Sequence, residues 1–367
     1  MNPKLIICVD GLGYDFVSQE NTPFIYSFGK EHYLSKLETL FAFTGLEYSF
    51  FSGKSPEEHK IWFEFVKSSN SLFDDAILRG LSFNGKIRTY WGAFLQLLNK
   101  RTWVSGLFKI PKDKLKYFDT SVKEGLWKLS FFQKEKFVFY KWPFFITKNG
   151  FEKRKIIFKY EKDSERLKRL LDEKNKDIYY TQLMEFDKLL HKVGKKSKDV
   201  KKILKRIDKI LEKNVKRFLS INPNGEVFLW SDHGFSDVVN YIDLENNLPK
   251  SKDYIYFIAG TSAHFWFKNE DIKQKIIKIL SEFKNIKILN KETAKKYHIP
   301  FIKEYGDLFC YVEKGNYIFP NFYQRTSKEK FKSMHGYPDN DELNGFFLSN
   351  KKIPKKLKMY QVKDYLK

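Results

Sequence analysis

The sequence predicts an α/β protein, a three-layer α/β/α sandwich whose central sheet is mostly parallel. Short apolar runs such as "KLIICVD" (4–10), "EVFLW" (226–230) and "NIKIL" (285–289) predict strands, and the first is typical of a strand covered on both faces. Segments with apolar residues at helical spacing separate these runs, above all residues 198–221. Strands that alternate with helices favour a parallel sheet, and ligands in such sheets gather beyond the carboxyl ends of the strands.

The first segments each have a recognisable local pattern. The first strand ends at Asp10, and "NTPFIYSFGKE" (21–31) predicts a helix with Pro23 in its first turn. A second strand is predicted at 33–40, and "TGLEYSFFSG" predicts a helix that begins at Thr44.

The texture of the sequence changes between residues 75 and 170. This region is rich in Phe, Trp, Tyr and Lys, as in "LWKLSFFQKEKFVFYKWPFFITKNG", and shows no strand–helix alternation. We interpret 75–170 as an inserted aromatic and basic cap that would suit a lid. The alternative is an irregular subdomain with its own small core. The catalytic α/β domain is then predicted in two parts, 1–74 and 171–367.

Regular alternation returns after the insertion. "DIYYTQLMEFD" predicts a strand that ends near Asp187, and 198–221 is a long amphipathic helix. One or two strands are predicted within 253–267 and a helix at 270–283.

The formal net charge of +23 raises the question of nucleic-acid binding. The excess is mostly lysine, spread over the whole chain, which is also what an AT-rich genome encodes. Nucleic-acid binding is therefore not favoured, although a general affinity for anionic substrates follows from the charge.

Three further features concern location and redox state. No window approaches 18 uninterrupted apolar residues, so no membrane span is predicted. The apolar run near the N-terminus is too short for a signal-peptide core, and a cytoplasmic location is expected. Cys8 and Cys310 lie in apolar runs, which indicates buried free thiols. The oligomeric state is not predicted.

Metal-ligand residue types follow several of the predicted strands. Asp10 ends the first strand, Asp187 and His191 are spaced four apart, and Asp232-His233 follows the strand 226–230. A further histidine, His335, precedes a glycine in "KSMHGYPDN". Each feature alone has an ordinary reading as a surface pair or a polar turn. Together, three carboxylates and three imidazoles are what a two-metal site requires, and Asp/His sets suit zinc or, with more oxygen, manganese or magnesium.

These residues carry a resemblance to the alkaline phosphatase superfamily, specifically to the type I phosphodiesterase/nucleotide pyrophosphatase family. The similar blocks occur in the family order: "ICVDGLGYD", "FTGLEYSFFSGKSPEEHK", the D-x-x-x-H-x-x-G of 187–194, "SDHG" at 231–234 and "MHGYPDN". The resemblance covers 4–60 and 177–347. It implies an alkaline-phosphatase-like fold, and the insertion falls where family members carry a variable cap.

The resemblance also implies a ligand set. Asp187, His191 and His335 would bind one metal ion, and Asp10, Asp232, His233 and the Thr44 oxygen would bind the other. The implied ions are two divalent metals, most often zinc, with manganese or iron as alternatives.

Thr44 is the implied nucleophile, and Thr39 is the alternative. A hydroxyl at a helix start can be stabilised by backbone N–H groups when it ionises. "TGLEYS" lacks the Pro and Asn that the family often has after its nucleophile, so another residue must supply one phosphate contact. As an ordinary helix N-cap, Thr44 would also be satisfactory.

The sequence therefore predicts a metal-dependent phosphodiesterase or nucleotide pyrophosphatase that acts on a small phosphorylated substrate through a threonyl-phosphate. Three carboxylates against two divalent cations leave about +1 on the site, which suits a phosphodiester monoanion. A phosphomonoesterase or phosphotransferase on the same scaffold is the enzymatic alternative. A polyanion- or nucleic-acid-binding protein with an inactive site is the alternative of another class.

Overall fold

A computed structural model of the chain describes residues 2–42, 44–69, 71, 94, 98, 110–111, 113–157, 159–338 and 341–367. The strands of these residues are β1 Lys4–Val9, β2 Tyr33–Glu38, β3 Phe65–Lys67, β4 Phe118–Thr120, β5 Phe137–Lys141, β6 Phe144–Lys148, β7 Glu152–Ile156, β8 Ile178–Leu183, β9 Glu226–Trp230, β10 Ser236–Asp237, β11 Asn240–Ile242, β12 Tyr254–Ile258, β13 Ser262–Phe267, β14 Ile286–Ile288, β15 Leu308–Val312, β16 Asn316–Ile318, β17 Ser333–Met334, β18 Gly345–Ser349 and β19 Lys356–Lys358.

The α-helices are α1 Pro23–Glu31, α2 Leu46–Ser52, α3 Pro56–His59, α4 Ser130–Gln133, α5 Asp163–Asp172, α6 Glu185–Val193, α7 Lys198–Ile221, α8 Glu270–Ser281, α9 Lys291–Lys296 and α10 Lys363–Leu366. Short 3-10 helices lie at Tyr14–Phe16, Leu115–Tyr117, Leu126–Lys128, Glu245–Asn247, Ser327–Glu329, Asp341–Leu343 and Met359–Gln361. Among the described residues, no helix is both long enough and apolar enough to cross a membrane.

The central sheet has nine strands in the order β19-β2-β18-β9-β1-β8-β5-β6-β7. Strands β9, β1, β8 and β5 are neighbours and pair in parallel, while β18 and β6 run opposite to the other strands of the sheet. The carboxyl ends of four adjacent parallel strands therefore meet at one edge, where an open α/β sheet binds its ligands.

The two faces of the central sheet pack into two separate hydrophobic clusters. Alternate residues of β1 divide between them, because successive side chains of a strand point to opposite faces. Ile6 and Cys8 join the cluster that contains α2, whereas Leu5, Ile7 and Val9 join the cluster of α1, α5, α6 and α7. The predicted three-layer α/β/α sandwich is confirmed.

A second, smaller sheet has the order β12-β13-β15-β14 and is antiparallel throughout. Its buried side chains, among them Phe257 and Phe265, belong to the same hydrophobic cluster as α2. The predicted free thiols also lie in the core, since Cys8 and Cys310 are both buried and unbridged.

The structure corrects the predicted extent of the insertion. Residues 137–156 form β5, β6 and β7 and extend the central sheet, so this part of 75–170 is not a cap. The apolar run "FVFY" fills a sheet position between two faces, as the other parallel strands do. Most of 75–109 lies outside the described residues, and the idea of a cap there stays a prediction.

A smaller correction concerns the strand that was expected to end near Asp187. Strand β8 ends at Leu183, and Asp187 lies in the first turn of α6. The helix brings Asp187 and His191 onto one face, as their spacing of four predicts.

Candidate active site

The predicted metal ligands come after strands in the chain. Three of these strands, β1, β8 and β9, belong to the central sheet, and the fourth, β17, pairs with β10 in a separate two-stranded sheet. Asp10 follows β1, and Asp232 and His233 follow β9. Asp187 and His191 lie on α6, directly after β8, and His335 follows β17. Asp10, Asp187, Asp232, His233 and His335 line a single cavity of about 190 Å³, together with Thr44.

Asp10, Asp232 and His233 form the first of two tight groups of potential metal ligands. The ligand atoms of this group all lie within 4.8 Å of one another, and the three residues are buried. Nε2 of His233 is 3.5 Å from Oδ1 of Asp10 and 3.7 Å from Oδ2 of Asp232. One oxygen of each carboxylate and one imidazole nitrogen thus face a common point.

Neighbouring groups hold the other atoms of these three ligands. Oδ1 of Asp232 accepts hydrogen bonds from the backbone N–H groups of Gly11 and His233, both at 3.1 Å. Oδ2 of Asp10 accepts from the Gln182 side chain at 2.8 Å. Nδ1 of His233 lies 3.1 Å from the carbonyl of Gly234, which leaves Nε2 directed at the carboxylates. Such outer hydrogen bonds orient the ligands of a metal ion.

Gly11 is required at this point by both conformation and space. Its φ of +74° is in the left-handed region, and a Cβ would lie 2.5 Å from the ring of Phe235. The glycine therefore lets the chain turn after Asp10 while its N–H still reaches Asp232.

The second group comprises Asp187, His233 and His335, whose ligand atoms also lie within 4.8 Å of one another. The rings of His233 and His335 stack with centroids 3.6 Å apart. His191 is close to this group, with Nε2 3.4 Å from Oδ1 of Asp187 and Nδ1 3.0 Å from the carbonyl of Ser333.

The grouping differs from the implied ligand assignment in one respect. His233 belongs to both tight groups, whereas His191, assigned to the Asp187 ion, lies beside the second group rather than in it. The three residues Asp187, His191 and His335 are still brought together, since the centroids of His191 and His335 are 5.3 Å apart.

The charges of the cluster call for a cation. Burial, together with Asp232 and Asp187, raises the pKa of Asp10 well above its ordinary value. Burial alone would lower the pKa of His233, but Asp232 and Asp10 outweigh it and raise the pKa to about 10. Buried carboxylates that draw a proton onto a neighbouring imidazole are stabilised by positive charge. Asp and His oxygens and nitrogens are ligands of zinc and of related divalent ions, so this donor set fits such ions.

Thr44 lies between β2 and α2, and its partly buried side chain lines the cavity. Its backbone N–H donates to the carbonyl of Trp62 at 3.3 Å. Gly45, with a φ of +98°, is the N-cap of α2, and no side chain caps this helix. The ordinary N-cap interpretation of Thr44 is therefore wrong, and the hydroxyl is not used to hold the helix.

Thr39, the alternative nucleophile, has a structural contact instead. Its hydroxyl donates to the carbonyl of Asp232 at 2.9 Å, and its N–H donates to the Asn344 side chain at 3.1 Å. The Thr39 hydroxyl is thus engaged with the backbone, whereas Thr44 lines the cavity.

Sequence reasoning missed several residues that line the same cavity: Glu47, Tyr48, Lys141 and Gln182. Lys141 and Gln182 are at or next to the carboxyl ends of β5 and β8. The signal was present, because "FVFYK" is an apolar run that ends in a charged residue, as "IICVD" is.

A mostly parallel three-layer sandwich is the fold of the alkaline phosphatase superfamily, as the sequence resemblance predicts. Within this superfamily, the pattern of the family "Type I phosphodiesterase / nucleotide pyrophosphatase" matches residues 4–338, and the chain belongs to that family. The predicted enzyme class, a phosphodiesterase-type hydrolase, is thereby confirmed. No curated protein matches the chain in sequence.

Two solved structures illustrate the likeness. Murine ectonucleotide pyrophosphatase/phosphodiesterase 5, an inactive threonine-to-alanine variant in complex with AMP, has a TM-score of 0.65 at 14% identity. The human protein of the same name has a TM-score of 0.62 at 12% identity. Each alignment covers 100% of this chain and 94% of the other. At these identities the likeness shows the fold.

Proposed function

We propose that the protein hydrolyses a phosphodiester or pyrophosphate bond of a small phosphorylated substrate, with Thr44 as nucleophile at a two-metal site. The observation that carries this proposal is the single cavity that joins Thr44 to Asp10, Asp187, Asp232, His233 and His335. Zinc is the favoured ion, with manganese or iron as alternatives.

The chain's own residues account for the binding and the orientation of the reacting groups. Asp10, Asp232 and His233 would hold one ion, and Asp187, His191 and His335 would hold the other. Two divalent ions held there would supply Lewis-acid stabilisation of the negative charge that develops during the displacement. The Thr44 hydroxyl gives up its proton to water as its oxygen attacks phosphorus. The bond from phosphorus to the leaving oxygen breaks, the leaving oxygen takes up a proton, and a threonyl-phosphate forms. Water then attacks phosphorus, the bond to the Thr44 oxygen breaks, and a proton of the water restores the Thr44 hydroxyl.

The sizes of two adjoining cavities indicate where the two parts of the substrate would bind. A volume of about 190 Å³ is below the ~300 Å³ at which pockets for whole organic ligands begin. The cavity would therefore hold the phosphoryl group. A second cavity of about 480 Å³ shares His233 and His335 with the first and is also lined by Phe41, Tyr297 and Tyr337. Its aromatic walls would suit the organic part of a nucleotide.

The structural relatives support a nucleotide as the substrate and a threonine as the nucleophile. One of them is described as bound to AMP, and the same protein is described as inactive with a threonine replaced by alanine. A cytoplasmic location stays a prediction.

The test compares two esters in the presence and absence of a chelator. Purified protein is assayed for bound metal and then for hydrolysis of bis-p-nitrophenyl phosphate and p-nitrophenyl phosphate. We expect chelator-sensitive turnover with the diester preferred. Protein that is loaded with metal and cleaves neither ester would overturn the proposal, and preference for the monoester would replace it with a phosphomonoesterase.

A further inference from the structure

An ion pair between Lys141 and Glu47 forms part of the wall of the Thr44 cavity. Lys141 is the last residue of β5, and Glu47 lies in the first turn of α2, three residues after Thr44. Their side chains are in contact and are only 14% and 10% exposed, respectively. Both residues line the cavity that contains the three aspartates. A cation and an additional anion are thus held where the phosphoryl group is expected.

The register of the central sheet explains why Lys141 reaches this cavity. Tyr140 pairs with Thr181, so Lys141 lies level with Gln182, and Gln182 pairs with Cys8. Asp10 follows two residues after Cys8 and its side chain points to the same face of the sheet. Lys141 therefore extends the row of polar strand ends that includes Gln182 and Asp10.

A second contact fixes Glu47. The hydroxyl of Tyr180, which is fully buried in β8, donates to Oε1 of Glu47. Burial first, and then the Glu47 carboxylate, raise the pKa of Tyr180 well above its ordinary value, so the phenol stays a donor. With Tyr180 on one oxygen and Lys141 on the other, the Glu47 carboxylate is held in one orientation.

The pair matters for the charge that the site presents to a substrate. Three aspartates and two divalent ions leave about +1, and the neutral Lys141–Glu47 pair does not change this sum. An ammonium group has three N–H donors, so Lys141 is able to contact both Glu47 and an oxygen of the substrate. Without the carboxylate of Glu47, the same lysine would raise the local charge to about +2, which favours a dianion.

We propose that Lys141 contacts a non-bridging oxygen of the substrate phosphate and that Glu47, by compensating its charge, sets the preference for monoanionic diesters over dianionic monoesters. This inference rests on the proposed function. The family resemblance implies a phosphate contact from an asparagine that "TGLEYS" lacks. Lys141 would supply this contact instead.

The test uses three variants, Glu47→Gln, Lys141→Met and the double variant, with Lys155→Met as the control. Lys155 is an exposed lysine of β7, two strands away from β5 in the same sheet. The readout is the ratio of kcat/KM for p-nitrophenyl phosphate, a dianion at about pH 8, to that for bis-p-nitrophenyl phosphate, a monoanion.

Glu47→Gln is expected to raise the monoester-to-diester ratio about tenfold or more, because it leaves the lysine charge uncompensated. Lys141→Met is expected to lower kcat/KM for both esters by about 10- to 100-fold, the range for one hydrogen bond to a charged group. The double variant should return the ratio to the parent value at the lower rates. An unchanged ratio in Glu47→Gln, or unchanged rates in Lys141→Met, would overturn the proposal.

A binding measurement separates this inference from the proposed function. Inorganic phosphate is titrated calorimetrically into the metal-loaded parent and variants, and metal content is measured alongside. We expect Kd for phosphate to rise about tenfold in Lys141→Met at unchanged metal content. An equal Kd would refute the contact even if the parent cleaves no ester. If Lys141→Met does not fold, since it leaves Glu47 buried and unpaired, the double variant serves in its place.

Discussion

The central sheet and the smaller four-stranded sheet each carry a buried histidine. The two histidines differ in their position along the strand, in the charges around them and in their pKa. His233 lies just beyond the carboxyl end of β9, among carboxylates that raise its pKa to about 10 against the effect of burial. His264 lies in the middle of β13, where burial lowers its pKa to about 4 although the Tyr305 carbonyl partly opposes this. A histidine past a strand end can face a ligand, whereas one within a strand packs into the core.

The surroundings of His264 show what such packing looks like. Its Nδ1 lies 2.8 Å from the carbonyl of Tyr305, and its ring contacts Trp62 and Phe63 at centroid distances of 5.5 and 4.7 Å. No carboxylate is among these partners. Burial therefore does not distinguish the two histidines, whereas the charge around them does, and a strongly perturbed pKa beside charged partners is typical of functional sites.

The largest expected effect concerns the hydroxyl at the site edge. Thr44→Ala should lower turnover of bis-p-nitrophenyl phosphate by about 10⁴-fold or more, since it removes the nucleophile, while bound metal stays near the parent level. Thr39→Val is the matched control, because it removes a hydroxyl that contacts a backbone carbonyl. If Thr44→Ala retained full activity, the nucleophile would have to be another group.

The second prediction tests the difference between the two histidines by replacing each with alanine in turn. His233→Ala should release metal and lower turnover by more than the ~100-fold typical of losing an outer partner of a ligand. His264→Ala should keep the metal and the activity of its folded fraction. Atomic absorption on both purified variants measures the outcome. Loss of metal from His264→Ala, or its full retention in His233→Ala, would contradict the assignment.

These predictions also show how far the sequence reaches. Six candidate metal ligands could be named from local sequence features. Apolar runs place Asp10, Asp232 and His233 at strand ends, a spacing of four links His191 to Asp187, and His335 precedes a glycine. Thr44 could be named only through the family resemblance. The structure places six of the seven in one cavity, and His191 lies beside it, with Nε2 3.4 Å from Oδ1 of Asp187.

The contacts between distant parts of the chain at this site could not be predicted. Lys141 contacts Glu47 across 94 residues of sequence, through a strand order that no local pattern encodes. The same strand order places β5 to β7 in the central sheet, although the aromatic and basic texture of 75–170 predicts a cap. His233 belongs to both ligand groups. This position depends on side-chain geometry, which cannot be read from the spacing of residues in the sequence.

The third prediction concerns an outer partner at the same edge. Gln182→Leu removes the amide that donates to Oδ2 of Asp10 but keeps a side chain of similar size. Metal affinity should fall by about 10- to 100-fold, as expected for the loss of an orienting hydrogen bond. Competition with a fluorescent zinc chelator measures the affinity, and Gln274→Leu on the exposed face of α8 is the control. Equal affinities in all three proteins would show that Gln182 does not orient Asp10.

The smallest effect is one of stability and belongs to the smaller sheet. The pKa of His264 is lowered from 6.5 to about 4 on folding, so the unfolded chain binds more protons between these values. The stability from the neutral ring is fully present above pH 6.5 and is lost as the pH falls towards 4, by up to about 3 kcal/mol.

Urea unfolding of the parent and of His264→Leu at several pH values checks this sign. The parent should lose more free energy of unfolding than the variant between pH 6.5 and 4. Part of the pH dependence of stability should remain in His264→Leu, because burial also lowers the pKa of His59 to about 4. His32→Leu, at an exposed position, is the control. A steeper slope in His264→Leu than in the parent would contradict the account.

The central claim is that the carboxyl ends of the central strands hold two metal ions beside Thr44. Anomalous scattering from crystals grown with zinc tests this most directly. Two peaks are expected roughly 3.5–4 Å apart, one at Asp10, Asp232 and His233 and the other at Asp187, His191 and His335. A fully occupied crystal with one peak, or with peaks away from these side chains, would contradict it.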